Sequence, residues 1–329
     1  MRKWKLVLGV VVSLICLGLA LAGIEWKRVG GALRRADWRY LLPAGLALLG
    51  YLWARSARWR VLLSSQIGLG TAFWVTNVGY LVSNVLPFRL GDPARAVAIG
   101  LDGRVRVSTA LSTVVVERVL DMLTVVALLA LTIPFVGDAG WMLEAGLLGA
   151  GLGLAAMGLL VLLAVRPRWA RRVLVQLLGR LPWIHRERWL AWFDGMLDGL
   201  GAFRSFHQTV ATIGWSVVTW GLIAVYYLAI LRAFVEQPSW VEASFLTCAT
   251  ALGVALPSSP GAMGVFHSVA RYALQLPFGI PAEAAVVVAF ASHAFQYVVM
   301  CALGVVGLIR CNLSLAQLRA QATNTAARE

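Results

Sequence analysis

Apolar runs of bilayer length recur along this sequence with only short polar gaps between them. That pattern constrains the fold more than any motif does. Residues 6–22, 41–63, 107–135, 140–165, 210–234 and 281–310 each read as such a run. A helix needs about 20 largely apolar residues to cross the hydrocarbon core of a bilayer. Of the 329 residues, 60% are apolar and 13% are charged. A soluble domain is about half apolar and about a quarter charged. A water-soluble globule of this size has more surface than so few charges can cover. Soluble enzymes, disordered chains and fibrous proteins are therefore excluded, and an all-α polytopic membrane protein is expected, as one membrane domain over 1–329.

The net charge is +14, from 29 basic and 15 acidic residues. In a soluble chain that would point to nucleic acid. Here the basic residues sit in gaps too small to fold as a nucleic-acid domain, so the expected partner is the anionic phospholipid face of a bilayer. The four cysteines, Cys16, Cys248, Cys301 and Cys311, form no CxxC pair, and no two of the four histidines have metal-ligand spacing. No metal or other cofactor is expected. No GxxxxGK[ST] motif occurs, so ATP is not expected to drive the protein directly.

The basic start MRKWK followed by 6–22 also resembles a signal peptide. Its 17-residue run is long for a signal core, and a retained first helix is expected. Residues 25–39 read as a short interfacial helix. Arg55, Arg58 and Arg60 crowd the end of 41–63 and must face headgroups or an interior cavity, because arginine in lipid is costly. Residues 166–204 carry two amphipathic stripes separated by Pro182. They read as a pair of helices on the cytoplasmic surface, with Trp169, Trp189 and Trp192 turned toward lipid. The distribution of Lys and Arg puts both termini in the cytoplasm of a bacterial plasma (inner) membrane.

Two shorter runs, 71–86 and 243–256, break at related places. The first gives Leu86-Pro87 and then Gly91; the second gives Leu256-Pro257 and then Gly261. Each reads as a helix that enters the membrane, breaks and returns, which is tolerated only inside protein or beside a wet cavity. Each also precedes a long run with polar residues inside it. Aligning those runs sets Glu117, Arg118 and Asp121 opposite Ser292, His293 and Gln296. About six transmembrane helices plus two re-entrant helix pairs follow, in inverted repeats over about 40–135 and about 210–310. Such paired broken segments point to a central transport site.

Glu117 and Asp121 share a helical face, and Arg118 can reach Asp121. Glu117 lies about 15 Å into its run at 1.5 Å per residue, near the bilayer midplane. Intramembrane ionisable residues are functional by default, although a structural ion pair gives the same pattern. Two carboxylates beside one guanidinium would leave a net negative site for a cation, a proton or an amine-bearing headgroup. Arg89, Asp92 and Arg95 follow the first break, where Asp92-Pro93 signals a helix start suited to an anion such as a lipid phosphate. In the second half Ser258, Ser259 and Gly261 could leave backbone donors open in the same way. His267 and His293 are the remaining candidates for the cavity.

The stretch NVLPFRLGDPARAVAIGLDGRVRVSTALSTVVVERVLDM, with ALPSSPGAMGVFHSVARYALQ later, resembles the lysylphosphatidylglycerol synthase transmembrane-region family. These flippase-like proteins include the membrane half of the bacterial multiple peptide resistance factor. Gly91, Arg95, Glu117, Arg118, Asp121, Pro257, Pro260, Gly261 and Gly264 match the family's motifs, and Arg58-Trp59 looks like its Arg-Trp pair. His267 departs from the family, which commonly has Glu there. The resemblance implies transbilayer movement of a lipid through a cavity between the two breaks, with Arg89 and Arg95 drawing in an anionic or phosphate-linked headgroup. No soluble aminoacyl-transfer domain follows, so lysyl-lipid synthesis is not implied. Two other readings stay open: a membrane enzyme that modifies a lipid headgroup, and a scaffold for a lipid- or glycan-synthesising partner.

Overall fold

A computed structural model describes residues 2–86, 90–101, 103, 105–136, 151, 155, 158–159, 162–179, 186–200, 205–255 and 259–314. Arg89, Ser258, the prolines of both Leu-Pro breaks, Pro182, most of 140–165 and the side chain of Trp192 lie outside the described residues. Among the described residues every regular element is a helix. In chain order these are α1 (Arg2–Leu21), α2 (Trp26–Arg35), α3 (Leu41–Leu62), α4 (Leu69–Val85), α5 (Gly91–Leu101) and α6 (Val107–Thr132). Then come α7 (Pro167–Leu178), α8 (Arg186–Gly199), α9 (Phe206–Phe234), α10 (Trp240–Ala255), α11 (Val265–Phe278) and α12 (Ala282–Arg310).

α9 and α12 each run 29 residues with mean hydropathy 1.8 in their most apolar window, long and apolar enough to cross a membrane. At 1.5 Å per residue each is about 43 Å long. The bundle is turned inside out relative to a soluble protein. On α3, Leu42, Leu46, Leu49 and Trp53 lie exposed along one stripe, while Arg55 and Arg58 are buried on the other side. Val210, Ile213 and Val217 are exposed on α9, and Val298, Val305 and Ile309 on α12. Contiguous apolar surface on this scale marks contact with lipid or protein.

The helices pack in matching relations. α3 packs on α9 and α4; α9 packs on α3 and α10. α4 packs on α5 and α12, and α10 packs on α11 and α6. α5 lies against α6, and α11 against α12. Exchanging α3 with α9, α4 with α10, α5 with α11 and α6 with α12 leaves these relations unchanged. Close approach depends on missing side chains. A Cβ on Gly91 would stand 1.9 Å from the Gly79 carbonyl oxygen and 2.2 Å from Ser83 Oγ. A Cβ on Gly304 would stand 2.7 Å from the Asn77 carbonyl oxygen, so α4 is wedged between two glycine-bearing helices.

α1 is tied into the second half. Ser13 Oγ accepts from the Ser259 N–H at 3.0 Å, and Ser268 Oγ donates to the Cys16 carbonyl. Arg271 donates to the carbonyls of Leu19, Ala20 and Ala22 at 2.9–3.0 Å. A guanidinium there satisfies the carbonyls a helix C-terminus leaves open and complements its dipole.

The amphipathic 166–204 stretch forms α7 and α8, joined by an Arg171–Asp194 ion pair at 3.0 Å. Trp169 and Trp189 are 45% and 50% exposed. The stripe of α8 does not all face outward, however: Leu197 and Leu200 are buried and Phe193 half-buried, packed with Val116 and Leu120 of α6. An apolar stripe gains as much from a neighbouring helix as from a lipid surface, so the sequence pattern fits either.

Gly91→Ala should lower the melting temperature of the detergent-solubilised protein by the equivalent of about 1–3 kcal/mol, because the clash is with backbone. Gly30→Ala in α2, where a Cβ meets nothing within 4 Å, should be neutral or stabilise by up to about 1 kcal/mol. Equal melting temperatures for the two variants would contradict the close α4–α5 approach.

Candidate functional site

Three helices distant in sequence bring charge to one buried point. Arg55 and Arg58 are three residues apart on α3 and so share a face. α5 opens at Gly91 and carries Asp92 in its first turn and Arg95 one turn later. α6 supplies Glu117, Arg118 and Asp121. Arg55, Arg58, Arg95, Glu117 and Asp121 are buried.

Glu117 is gripped from three sides. Arg55 lies 2.6 Å and Arg58 3.3 Å from its Oε1, and Arg95 pairs with its Oε2. Asp121 accepts from Arg55 at 2.8 Å and Arg58 at 2.7 Å, and from Trp220 Nε1 at 3.3 Å. Arg58 also donates to Ser216 Oγ at 3.1 Å, which ties α9 to the cluster. The Arg95 guanidinium lies 4.6 Å from the Trp59 ring centroid, and Trp59 Nε1 donates to Thr113 Oγ1 at 3.1 Å. Arg55 reaches Tyr51 OH at 3.5 Å, which is 3.0 Å from Tyr80 OH.

Arg118 has a different position from its two helix neighbours. Its side chain is 46% exposed. It holds Asp92 with two parallel hydrogen bonds of 2.8 Å and stands 3.6 Å from Asp121. The Asp92 carboxylate therefore serves an arginine across helices rather than the N-terminus of its own helix. Among the described residues of the cluster, four guanidiniums face three carboxylates. The net negative site expected from α6 alone is reversed in sign, because Arg55, Arg58 and Arg95 join it from other helices. Arg60 stays outside the cluster and braces the following loop, with Nε donating to the Ile67 carbonyl at 3.1 Å.

A cavity of about 470 Å³ opens on this cluster. It is lined by Arg55, Asp92, Arg95, Arg118 and Asp121, and also by Ser259, Gly261 and His293. Residues from both halves thus meet at one space, and Gln296 lines it with His293 as Asp121 does with Arg118. Arg58 and Glu117 stand behind the lining. Gly261 takes φ +66°, and a Cβ there would lie 2.9 Å from the Tyr297 ring and 3.6 Å from the Asn84 carbonyl oxygen. The second break therefore packs against the end of α4, just before the first. The Ser259 N–H is already bonded to Ser13, so it is not an open donor. His267 lies off the cavity: its Nδ1 accepts from the Gly264 N–H at 3.2 Å and its Nε2 is 3.3 Å from His293 Nδ1.

Sequence reasoning left Arg55 out of the candidate site, although its three-residue spacing from Arg58, opposite a leucine stripe, was a usable signal. Tyr51, Tyr80, Ser216 and Trp220 carried none, since each becomes relevant only once distant helices meet.

The chain matches the family model described as the lysylphosphatidylglycerol synthase TM region over residues 6–304. It is 24% identical over 304 residues to a UPF0104 membrane protein of Methanothermobacter thermautotrophicus, covering 88% of this chain and 89% of that one. A second UPF0104 membrane protein of the same organism is 25% identical over 285 residues, covering 81% and 84%. No solved structure matches. With the family model covering nearly the whole chain, and with apolar helix surfaces turned outward and charges inward, this chain is a membrane protein of the lysylphosphatidylglycerol synthase transmembrane-region family.

Proposed function

We propose that this protein moves an anionic or phosphate-linked lipid between the leaflets of its membrane, through the cavity between the two halves. One observation carries the reading: a cavity inside a membrane protein is lined by Arg55, Arg95 and Arg118, in a cluster whose guanidiniums outnumber its carboxylates. Ionisable side chains inside a membrane protein are costly and mark functional sites by default, and arginine's planar fork suits a phosphate. Asp92 and Asp121 each contact two arginines or more. A headgroup-modifying enzyme would need a freer carboxylate as general base.

On this reading α4–α5 and α10–α11 are the re-entrant pairs of inverted repeats spanning about 40–135 and 210–310. The packing relations that survive exchange of the halves support it. Arg58 and Glu117 hold the cluster from behind. Arg89 and Ser258 stay candidates from their sequence positions alone; Ser259, Gly261 and His293 shape the far side, with His267 behind His293. Both termini and α7–α8 face the cytoplasm at the inner membrane. Arg55, Arg58 and Arg95 belong to the buried cluster, and the remaining basic residues still favour that side.

Purified protein in vesicles with tail-labelled phosphatidylglycerol should expose inner-leaflet label to an external reductant faster than protein-free vesicles do; equal rates would sink the transport reading. Within that assay the cluster members should separate. Arg118→Gln, at a half-exposed site, should change stability by less than about 1 kcal/mol and slow movement about tenfold or more. Glu117→Gln strands three guanidiniums and should cost about 3–5 kcal/mol of stability, read as a lower melting temperature in detergent. Full transport by Arg118→Gln would make the cluster structural.

For orientation, Arg186→Cys in a chain otherwise free of cysteine should react with a membrane-impermeant maleimide only after the cells are opened. Labelling of intact cells would put α8 on the outer side.

A further inference from the structure

α2 takes no part in lining the cavity. At about 100° per residue its sequence WKRVGGALRR separates into two sides. Trp26, Val29 and Leu33 fall on one, and Lys27, Arg28, Arg34 and Arg35 on the other. No residue of the helix is buried. Trp26 is 62% and Leu33 40% exposed, and the four basic side chains are exposed as well. Arg28 pairs with Glu25 at 2.9 Å. Among the described residues no carboxylate pairs with Lys27, Arg34 or Arg35.

Little else holds this helix. It is 10 residues long, and isolated helices shorter than about 12–15 residues are marginal in water. Gly30 and Gly31 weaken it further. A Cβ on either would meet nothing within 4 Å, so close packing does not account for them. Its N-cap residue, Glu25, makes no side-chain cap bond. A lipid surface satisfies both sides at once, with acyl chains against Trp26 and Leu33 and phosphates against the basic side.

The chain also fixes which face of the membrane α2 occupies. Just past the helix, the Asp37 N–H donates to the Ala233 carbonyl at 3.0 Å, and Trp38 meets Phe234 edge-on at 5.7 Å. Both partners lie at the C-terminal end of α9, whereas α8 leads into its N-terminal end. α9 is longer than the hydrocarbon core, which is about 30 Å thick. α2 and α8 therefore belong to opposite faces. Residues 25–39 hold five basic and two acidic side chains. On the orientation proposed above, that surplus lies on the outer face, against the usual bias of Lys and Arg toward the cytoplasm. Anionic headgroups are the electrostatic partner available to it there.

We propose that α2 is a binding surface for anionic phospholipid of the leaflet opposite α7–α8, and that this lipid holds it as a helix. The surface is separate from the cavity and needs no lipid movement. A protein that moves no lipid would still bind here.

Amide hydrogen exchange of the full-length protein in nanodiscs tests it, with phosphatidylcholine alone or mixed with phosphatidylglycerol. Amides of 26–35 should exchange about tenfold more slowly with phosphatidylglycerol present, since each basic residue near an anionic surface contributes about fivefold. Raised salt should shrink the difference. The triple variant Lys27→Gln/Arg34→Gln/Arg35→Gln replaces exposed, unpaired charges. It should keep the melting temperature and lose the difference. Arg168→Gln/Arg172→Gln, at exposed positions of α7, should keep it. Comparing variants in the same discs removes the effect of surface pH on exchange. Equal exchange in the two lipids overturns the proposal, as does an unchanged difference in the triple variant or a lost one in the α7 variant. Protection that needs two copies per disc and no phosphatidylglycerol would put a second copy of the chain on this face, and also overturns it. Arg35→Cys and Arg186→Cys, each in a chain otherwise free of cysteine, should react with an impermeant maleimide from opposite sides of the membrane. Reaction from the same side overturns the assignment to the opposite leaflet.

Discussion

The buried pairing of Arg55, Arg58 and Arg95 with Glu117 and Asp121 is the interaction on which the rest of the bundle depends. None of these side chains can face hydrocarbon alone, and the nearest partner of opposite charge for each lies on another helix. Arg58 finds its carboxylates 59 and 63 residues away, and Arg95 finds Glu117 22 residues away. The requirement that every such charge be paired fixes α3, α5 and α6 against one another, and Ser216 and Trp220 bring α9 into the same contact. A well-packed apolar core of equal volume would be no less stable, because desolvation offsets much of the Coulomb gain. What the ionic version adds here is a single permitted arrangement of helices that are otherwise uniformly apolar, together with a charged surface at the cavity.

Close backbone packing does the remaining work. In surroundings already as apolar as leucine, helices gain little by hiding leucine from solvent, so association depends on approach and fit. Gly79 and Gly91 let α4 and α5 meet, and Gly304 and Gly307 let α12 meet the other side of α4. A helix pressed between two such contacts can carry Thr76, Tyr80 and Ser83 into the cavity while its backbone stays fixed.

How much of this was open to sequence reasoning follows from the range of each interaction. α9 and α12 were readable because a long apolar run is a local property. The inward turn of Glu117 and Asp121 was readable because burying a charge in lipid is costly whatever its neighbours are. The partners were not, since nothing local says which of several arginines will arrive. Reading α6 in isolation therefore gave the wrong sign for the site. The stripe of α8 is ambiguous for a related reason: Phe193, Leu197 and Leu200 satisfy the same periodicity against α6 as they would against lipid. The correspondence between the two breaks came from position and neighbours together, and the packing of α4 with α12 and of α10 with α6 is arranged in step with it.

The small size of the charge surplus matters as much as its sign. Four guanidiniums without carboxylates would hold a phosphate so firmly that release would limit any movement, whereas a site that passes its ligand on must bind strongly enough to admit it and weakly enough to let it go. Three carboxylates reduce the attraction to that of about one charge while leaving the fork geometry of the arginines intact. The second half shows the complementary arrangement. Where α6 has Glu117, Arg118 and Asp121, α12 has Ser292, His293 and Gln296, and the last two line the same cavity. On the proposed reading an anionic headgroup is drawn toward the first half by charge and meets only neutral hydrogen-bonding groups on the second. The ligand has one strong anchor rather than two, and two strong anchors on opposite sides of one cavity would hold the halves together around the cargo.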